Sequence, residues 1–231
     1  MLNYSSPDGI VVHRDVDFIA EANHRIANNI SILANLVRTS GREAANNPGI
    51  TGKAIRQIFD ELNARLEAVA TLHRLLVGCA GAPTIEITSY FETLANVLTS
   101  SLALESHITL RVVAQRWWRA PPEKALPLGL MVAELVTNAI KHAHPAQVPG
   151  TVVVTCRSDS AGGLVVEVSD DGVGLPEGFD PAEGGHVGFR LLRSLAKQVD
   201  ASLSFRSHQL GLQVEIRAPK LASEPKAANL S

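Results

Sequence analysis

Apolar residues recur at intervals of three and four between Asp15 and about Arg42: Ile19, Ala22, Ile26, Ile30, Leu33 and Val37. At roughly 100° per residue these positions form one narrow stripe, which predicts a long amphipathic helix. Asn46-Asn47-Pro48-Gly49 reads as a turn. A second run of the same period, Ile55, Ile58, Leu62, Leu66, Val69, Leu72 and Leu76, predicts another helix that ends in the breaker stretch Gly78 to Pro83. Two long helices with a short connection make an antiparallel hairpin. Neither stripe is fully covered by the other. The simplest completion is a second hairpin from another copy, a four-helix bundle in a homodimer. The alternative is a monomer whose C-terminal half folds back over the stripes.

After Pro83 the pattern turns mixed. Ile85-Glu86-Ile87 predicts a short strand, Ser89 to Ser101 a helix, Ile108 to Ala114 a strand, and Lys124 to His142 a helix. Thr151 to Cys156 and Leu164 to Val168 alternate as strands, Asp170 to Gly185 is a loop rich in glycine, proline and acid, and Val187 to Gln198 is helical. Ala201 to Arg206 and Leu212 to Arg217 form a closing strand pair. The class is α+β: a helical hairpin over residues 1–82, a second domain over 83–221, and a tail over 222–231 expected to be disordered.

A chain of 231 residues, 45% apolar and with a formal net charge of -2, suits one or two compact domains. Its charge balance advertises no nucleic-acid surface. Cys79 and Cys156 are the only cysteines, too few for a disulfide framework and without the spacing of a structural zinc site. There is no leader-like segment and no apolar run of about 18 residues, so a cytoplasmic protein without membrane insertion is expected.

Opposite the apolar stripe, the first helix presents Asp17, Glu21, His24, Asn28, Ser31 and Asn35. His24 lies about 160° from Ile26 and should face solvent, with Glu21 one turn away to orient the ring. An accessible imidazole is a competent nucleophile toward phosphorus, although such a histidine standing alone is more often merely solvated. In the second domain, Glu134, Asn138, Lys141 and His142 fall along one side of a helix. A carboxylate, an amide oxygen and an ammonium in a row suit a magnesium-bound triphosphate, and equally a solvated helix face. Asp170-Asp171-Gly172-Val173-Gly174 follows an apolar strand, where a strand-end carboxylate can accept from the exocyclic amine of adenine. Gly184-Gly185-His186-Val187-Gly188-Phe189 opens another helix. Trp117 and Trp118 read as packing at a strand end, and His13, His73, His107, His144 and His208 as ordinary residues.

The segment from Glu21 to Ile30 resembles the histidine box of the HisKA_2 type of sensor histidine kinases, with Ala27 where that family often has lysine. The three later segments, in order, resemble the N, G1 and G2 boxes of the Bergerat-type ATPase domain shared by histidine kinases, type II topoisomerases, Hsp90 and the mismatch-repair ATPases. The resemblance spans about Asp17 to Arg217. Val165-Val166-Glu167 lacks the tryptophan of the related HWE subgroup, which favours HisKA_2. In the last box His186 replaces a first glycine and Phe189 a leucine. The stretch between Gly174 and Gly188 leaves no room for a separate phenylalanine motif.

The resemblance implies ATP and Mg2+ as cofactors, with Asn138 holding the metal, Glu134 positioning or activating the reacting groups and Lys141 contacting phosphate. It further implies that Asp170 reads adenine, that Gly172 and Gly174 shape its pocket, and that Gly188 brings a helix N-terminus to the phosphates. His24 is then the phosphoacceptor, and a response-regulator receiver domain takes the group onward to an aspartate. Two rivals remain: a phosphotransfer or docking protein with a degenerate ATP domain, and a serine kinase or mechanical ATPase on the same nucleotide fold.

Overall fold

The structure, a computed structural model, describes Ser31, Ala34, Val37, Arg38, Gly41, Arg42, Ala45 and residues 49–78, 84–102, 107–115, 117–145, 148–181, 187–208 and 210–219. His24, Glu21, Ala27, His186, residues 79–83 and residues 222–231 lie outside these. Positions 31 through 45, where described, are helical, in keeping with the first predicted helix. Helix α1 (Gly52–Gly78) follows, its first bond running from Ile55 N to Thr51 O over 3.0 Å.

The second half is a five-stranded sheet in the order β2-β4-β5-β7-β6, preceded by a two-stranded ribbon of β1 (Ile85–Glu86) and β3 (Arg119–Ala120). The sheet comprises β2 (Ile108–Ala114), β4 (Gly150–Ser158), β5 (Leu164–Asp170), β6 (Ser202–His208) and β7 (Gly211–Ala218). Its helices are α2 (Ile87–Leu102), α3 (Pro122–His142) and α4 (Val187–Gln198). β2 and β4 are parallel, with α3 in the crossover that a parallel pair needs, and every other pairing is antiparallel.

Local chemistry sets the helix starts. Glu86 caps α2 through bonds from Thr88 N (2.9 Å) and Ser89 N (2.6 Å) to its two carboxylate oxygens. α3 opens on Pro122, with Glu123 in its first turn and Lys141 and His142 in its last, matching the helix dipole at both ends. The core lies between sheet and helices. Val152, Val154, Cys156, Val166, Val168, Val214 and Ile216 meet Leu126, Leu130, Met131, Leu192 and Leu195. Burial pushes the Cys156 thiol up to about 12, so it behaves as a small apolar residue.

α1 docks on this half mainly by residues outside its predicted stripe. Ala64, Ala68 and Thr71 are buried against α2 and α3, and of the stripe Leu62 and Val69 pack partly against the core, whereas Ile55 and Leu66 are 41% and 51% exposed, as is the neighbouring Phe59 at 66%. Small residues win that face because they allow helix backbones to approach closely. The fully buried Tyr90 of α2 pins the seam, donating from its hydroxyl to Ala68 O at 3.0 Å while its ring occupies the space beside Gly129 of α3. The tryptophan pair splits: Trp118 packs in the core, and Trp117 is 66% exposed.

Candidate functional site

α3 runs through the centre of the domain, buried at every position from Ala125 to Thr137. Asn138 and Lys141 emerge half-buried at its C-terminal end, and His142 is exposed. Glu134 is not on a solvated face, being only 2% exposed.

β5 ends in Asp170. Its Oδ1 accepts from Gly172 N at 3.0 Å, closing a tight aspartate turn, and from Leu212 N at 3.2 Å at the head of β7. Oδ2 accepts no bond from the described residues, which leaves one oxygen of a rigidly held carboxylate for an outside donor. The turn then lies against the end of α3. Val173 N donates to Ala143 O at 2.9 Å, and a Cβ on Gly172 would collide with that same carbonyl and with the Ala143 methyl. Only glycine permits this approach. Gly174 takes φ +71° and passes close to His208 O, and Leu175 N bonds Ser207 Oγ at 2.7 Å. The predicted adenine-reading turn and the predicted phosphate helix are thus one continuous unit.

The third segment joins them through Gly188, the second residue of α4. A Cβ there would coincide with Glu134 Oε1. α4 has no acidic residue in its first turn, so the buried Glu134 carboxylate is the anion at its positive end. The helix end expected to face phosphates thus has the Glu134 carboxylate beside it.

The aromatic content of the intervening stretch departs from expectation. Phe179 stacks on Phe189 with ring centroids 5.2 Å apart, and Phe189 on Phe205 at 5.8 Å. Arg193 Nη1 donates to Pro181 O at 2.6 Å. The short stretch does hold an aromatic anchor, and Phe189 in place of leucine is its partner. The pair Phe179 and Phe189 was the available signal. His144 and Asp171 were also missed: the imidazole is buried, with Nε2 3.0 Å from Asp171 Oδ1, rather than ordinary.

The donor chemistry suits a nucleotide with a hard cation. No group of three His, Cys, Asp or Glu side chains is gathered for a metal among the described residues. A single amide oxygen from Asn138 fits an ion held mainly by phosphate oxygens and water. No described helix is long and apolar enough to cross a membrane.

Residues 21–102 match the HisKA_2 family model, described as a histidine kinase. Residues 123–222 match the histidine kinase-, DNA gyrase B-, and HSP90-like ATPase model. The chain is 28% identical over 203 residues to blue-light-activated histidine kinase 2 of Erythrobacter litoralis, covering 87% of this chain and 56% of that protein. It is also 28% identical over 215 residues to the sensor histidine kinase PdtaS of Mycobacterium tuberculosis, covering 92% and 41%. The chain thus spans about half the length of the curated relatives it matches. Among solved structures, the histidine kinase domain of the E. litoralis EL346 blue-light activated kinase superposes with a TM-score of 0.63 at 27% identity, over 82% of this chain and 95% of that one. The longer EL346 structure gives 0.68 at 28% identity, over 93% and 62%.

Proposed function

We propose, on the premise that this chain belongs to the HisKA_2-type histidine kinases, that it binds Mg-ATP between α3, the Asp170 turn and α4 and transfers the γ-phosphoryl group to His24. The observation that carries the reading is the stitching of three sequence boxes into one unit: Asp170 to Gly172, Gly172 and Val173 to Ala143, and Gly188 to Glu134. A scaffold has no chemical need of Glu134, Asn138 and Asp170 gathered around this unit.

In this reading Asp170 accepts from the adenine amine through Oδ2, and Lys141 offers its ammonium to phosphate oxygens. Asn138 would supply the protein ligand to magnesium, which when bound would offset the negative charge of the phosphate oxygens. A ring nitrogen of His24 attacks the γ-phosphorus with its lone pair. A nitrogen–phosphorus bond forms, the bond to the β–γ bridging oxygen breaks, and ADP leaves. The phosphoramidate then passes its group to an aspartate of a receiver domain.

The hairpin, residues 1–82, has to approach the ATP domain, residues 83–221, for this transfer. Because α1 is seated on α2 and α3 through Ala64, Ala68 and Thr71, we assign the movement to the hairpin beyond that seam. The exposed Ile55, Phe59 and Leu66 support pairing with a second hairpin in a homodimer, which we place in the cytoplasm with input from a separate sensor protein.

The test is incubation of the purified chain with γ-labelled ATP and magnesium. Label is expected on the wild type, absent from His24→Ala, lost in acid, kept in alkali, and transferable to a receiver domain. Unlabelled wild type would leave the phosphotransfer or docking alternative, and acid-stable label would indicate a serine kinase.

A further inference from the structure

Beyond Ala143 the chain places His144 where three segments meet. Its side chain is 7% exposed, and Nε2 lies 3.0 Å from Asp171 Oδ1. The same oxygen accepts from Thr151 N, at the start of β4, at 2.8 Å. The ring fills the space that a Cβ on Gly150 would need, so β4 opens on the residue that admits the imidazole. Nδ1 is buried and has no hydrogen-bond partner among the described residues. The neutral tautomer with its proton on Nε2 meets this geometry, because a charged ring would bury a second N–H with no acceptor. One carboxylate oxygen therefore ties the end of α3 and the head of β4 to the Asp170 turn.

We infer that His144 and Asp171 are positioning residues that fix the distance between the phosphate end of the nucleotide site, Asn138 and Lys141 on α3, and its adenine end, Asp170. The inference rests on the nucleotide-site reading above. Asp170 keeps its own bonds to Gly172 N and Leu212 N without help from His144. Releasing the His144–Asp171 link thus leaves the adenine end formed and the α3 end held to it only by the Val173 N–Ala143 O bond and the packing of Gly172 on Ala143, so the two ends are less tightly fixed. Ligands that span both ends lose affinity, and a ligand that touches one end does not.

Asp171 is the better residue to change, since its side chain is 55% exposed and the fold does not depend on burying it. Asp171→Asn keeps an oxygen to accept from Thr151 N and His144 Nε2, whereas Asp171→Ala removes it. In calorimetry on the full chain, Asp171→Ala is expected to raise the Kd for Mg-ADP about tenfold, the scale of one well-placed hydrogen bond to a charged group. Asp171→Asn should stay close to wild type, and adenosine, followed by NMR titration, should bind all three proteins alike. Charge alone predicts the opposite sign, because deleting an anion near a polyphosphate should tighten binding. Unchanged or tighter Mg-ADP binding by Asp171→Ala overturns the inference, as does equal weakening in the Ala and Asn variants, or a loss of adenosine binding as large as that of Mg-ADP. If wild type itself fails to bind Mg-ADP, the nucleotide-site reading falls and takes this inference with it.

Discussion

Glu134 Oε1 lies so close to Gly188 that a Cβ there would collide with it, so a buried carboxylate in the middle of α3 packs directly on the first turn of α4. Gly188→Ala forces that carboxylate or the helix to move. Overpacking of this kind costs about 1–3 kcal/mol. A lower melting temperature and loss of His24 labelling are expected. Glu134→Ala combined with Gly188→Ala should regain much of the stability, a non-additive result readable in a double-mutant cycle, while labelling stays lost. Additive stabilities would mean that the two residues do not share this space.

Asp170 separates fold from recognition within one side chain. Asn at this position keeps an oxygen for Gly172 N and Leu212 N but replaces the other oxygen with a donor facing a donor. Asp170→Asn should therefore melt near wild type and bind Mg-ADP about tenfold to a hundredfold more weakly, the equivalent of about 1.5–3 kcal/mol for a hydrogen bond to a charged group. Asp170→Ala should lose both binding and stability. Thermal melts and calorimetry on the two variants separate these contributions, and wild-type affinity in Asp170→Asn would remove Asp170 from adenine recognition.

These residues show what could be read from the sequence. Helix α4 and strand β2 begin and end where their patterns predict, and the other predicted strands differ by one or two residues at their ends, because alternation and period report burial directly; the two-residue β3 is too short to show a pattern. The boxes around Asp170 and Asn138 were legible because their residue types are chemically specialised. The docking face of α1 was not, since hydropathy favours large side chains whereas close helix contact selects Ala64 and Ala68. Nor was the His144–Asp171 pair, in which neither residue has a local signal and only the fold brings α3, β4 and the turn together. Nor does the length of the loop reveal the contact of Phe179 with Phe189, which only the fold brings about.

On the face of β7 away from the core, Glu215 lies directly opposite Glu167 across the β5–β7 pair, a repulsive arrangement were it not for Arg157 and Arg217. The hydrogen bond from Arg217, followed by the charges of Arg217, Arg157 and Arg206, holds the Glu215 carboxyl below its usual range against the opposing effect of burial. A lowered folded-state value means stabilisation that is complete above the ordinary glutamate value of about 4.3 and decays as pH falls through the folded-state value. Glu215→Gln should therefore melt lower than wild type at pH 7, with the gap closing under acid. A gap independent of pH would assign the loss to packing rather than charge.

Ile55, Phe59 and Leu66 lie four and seven residues apart on one face of α1, and all three are exposed although each is large and apolar. The ATP domain does not cover them, because it holds the opposite face through Ala64, Ala68 and Thr71. A contiguous apolar strip of this kind is uncommon on a soluble monomer and is what a bundle partner would bury. Light scattering on the purified chain is expected to give twice the 24.6 kDa chain mass. Phe59→Glu would place a charge in the middle of the strip and should return the protein to the single-chain mass, without lowering the Mg-ADP affinity of a site formed by α3, α4 and the Asp170 turn. A wild-type chain that runs as a monomer at every concentration would refute the paired bundle and leave the strip to some other partner.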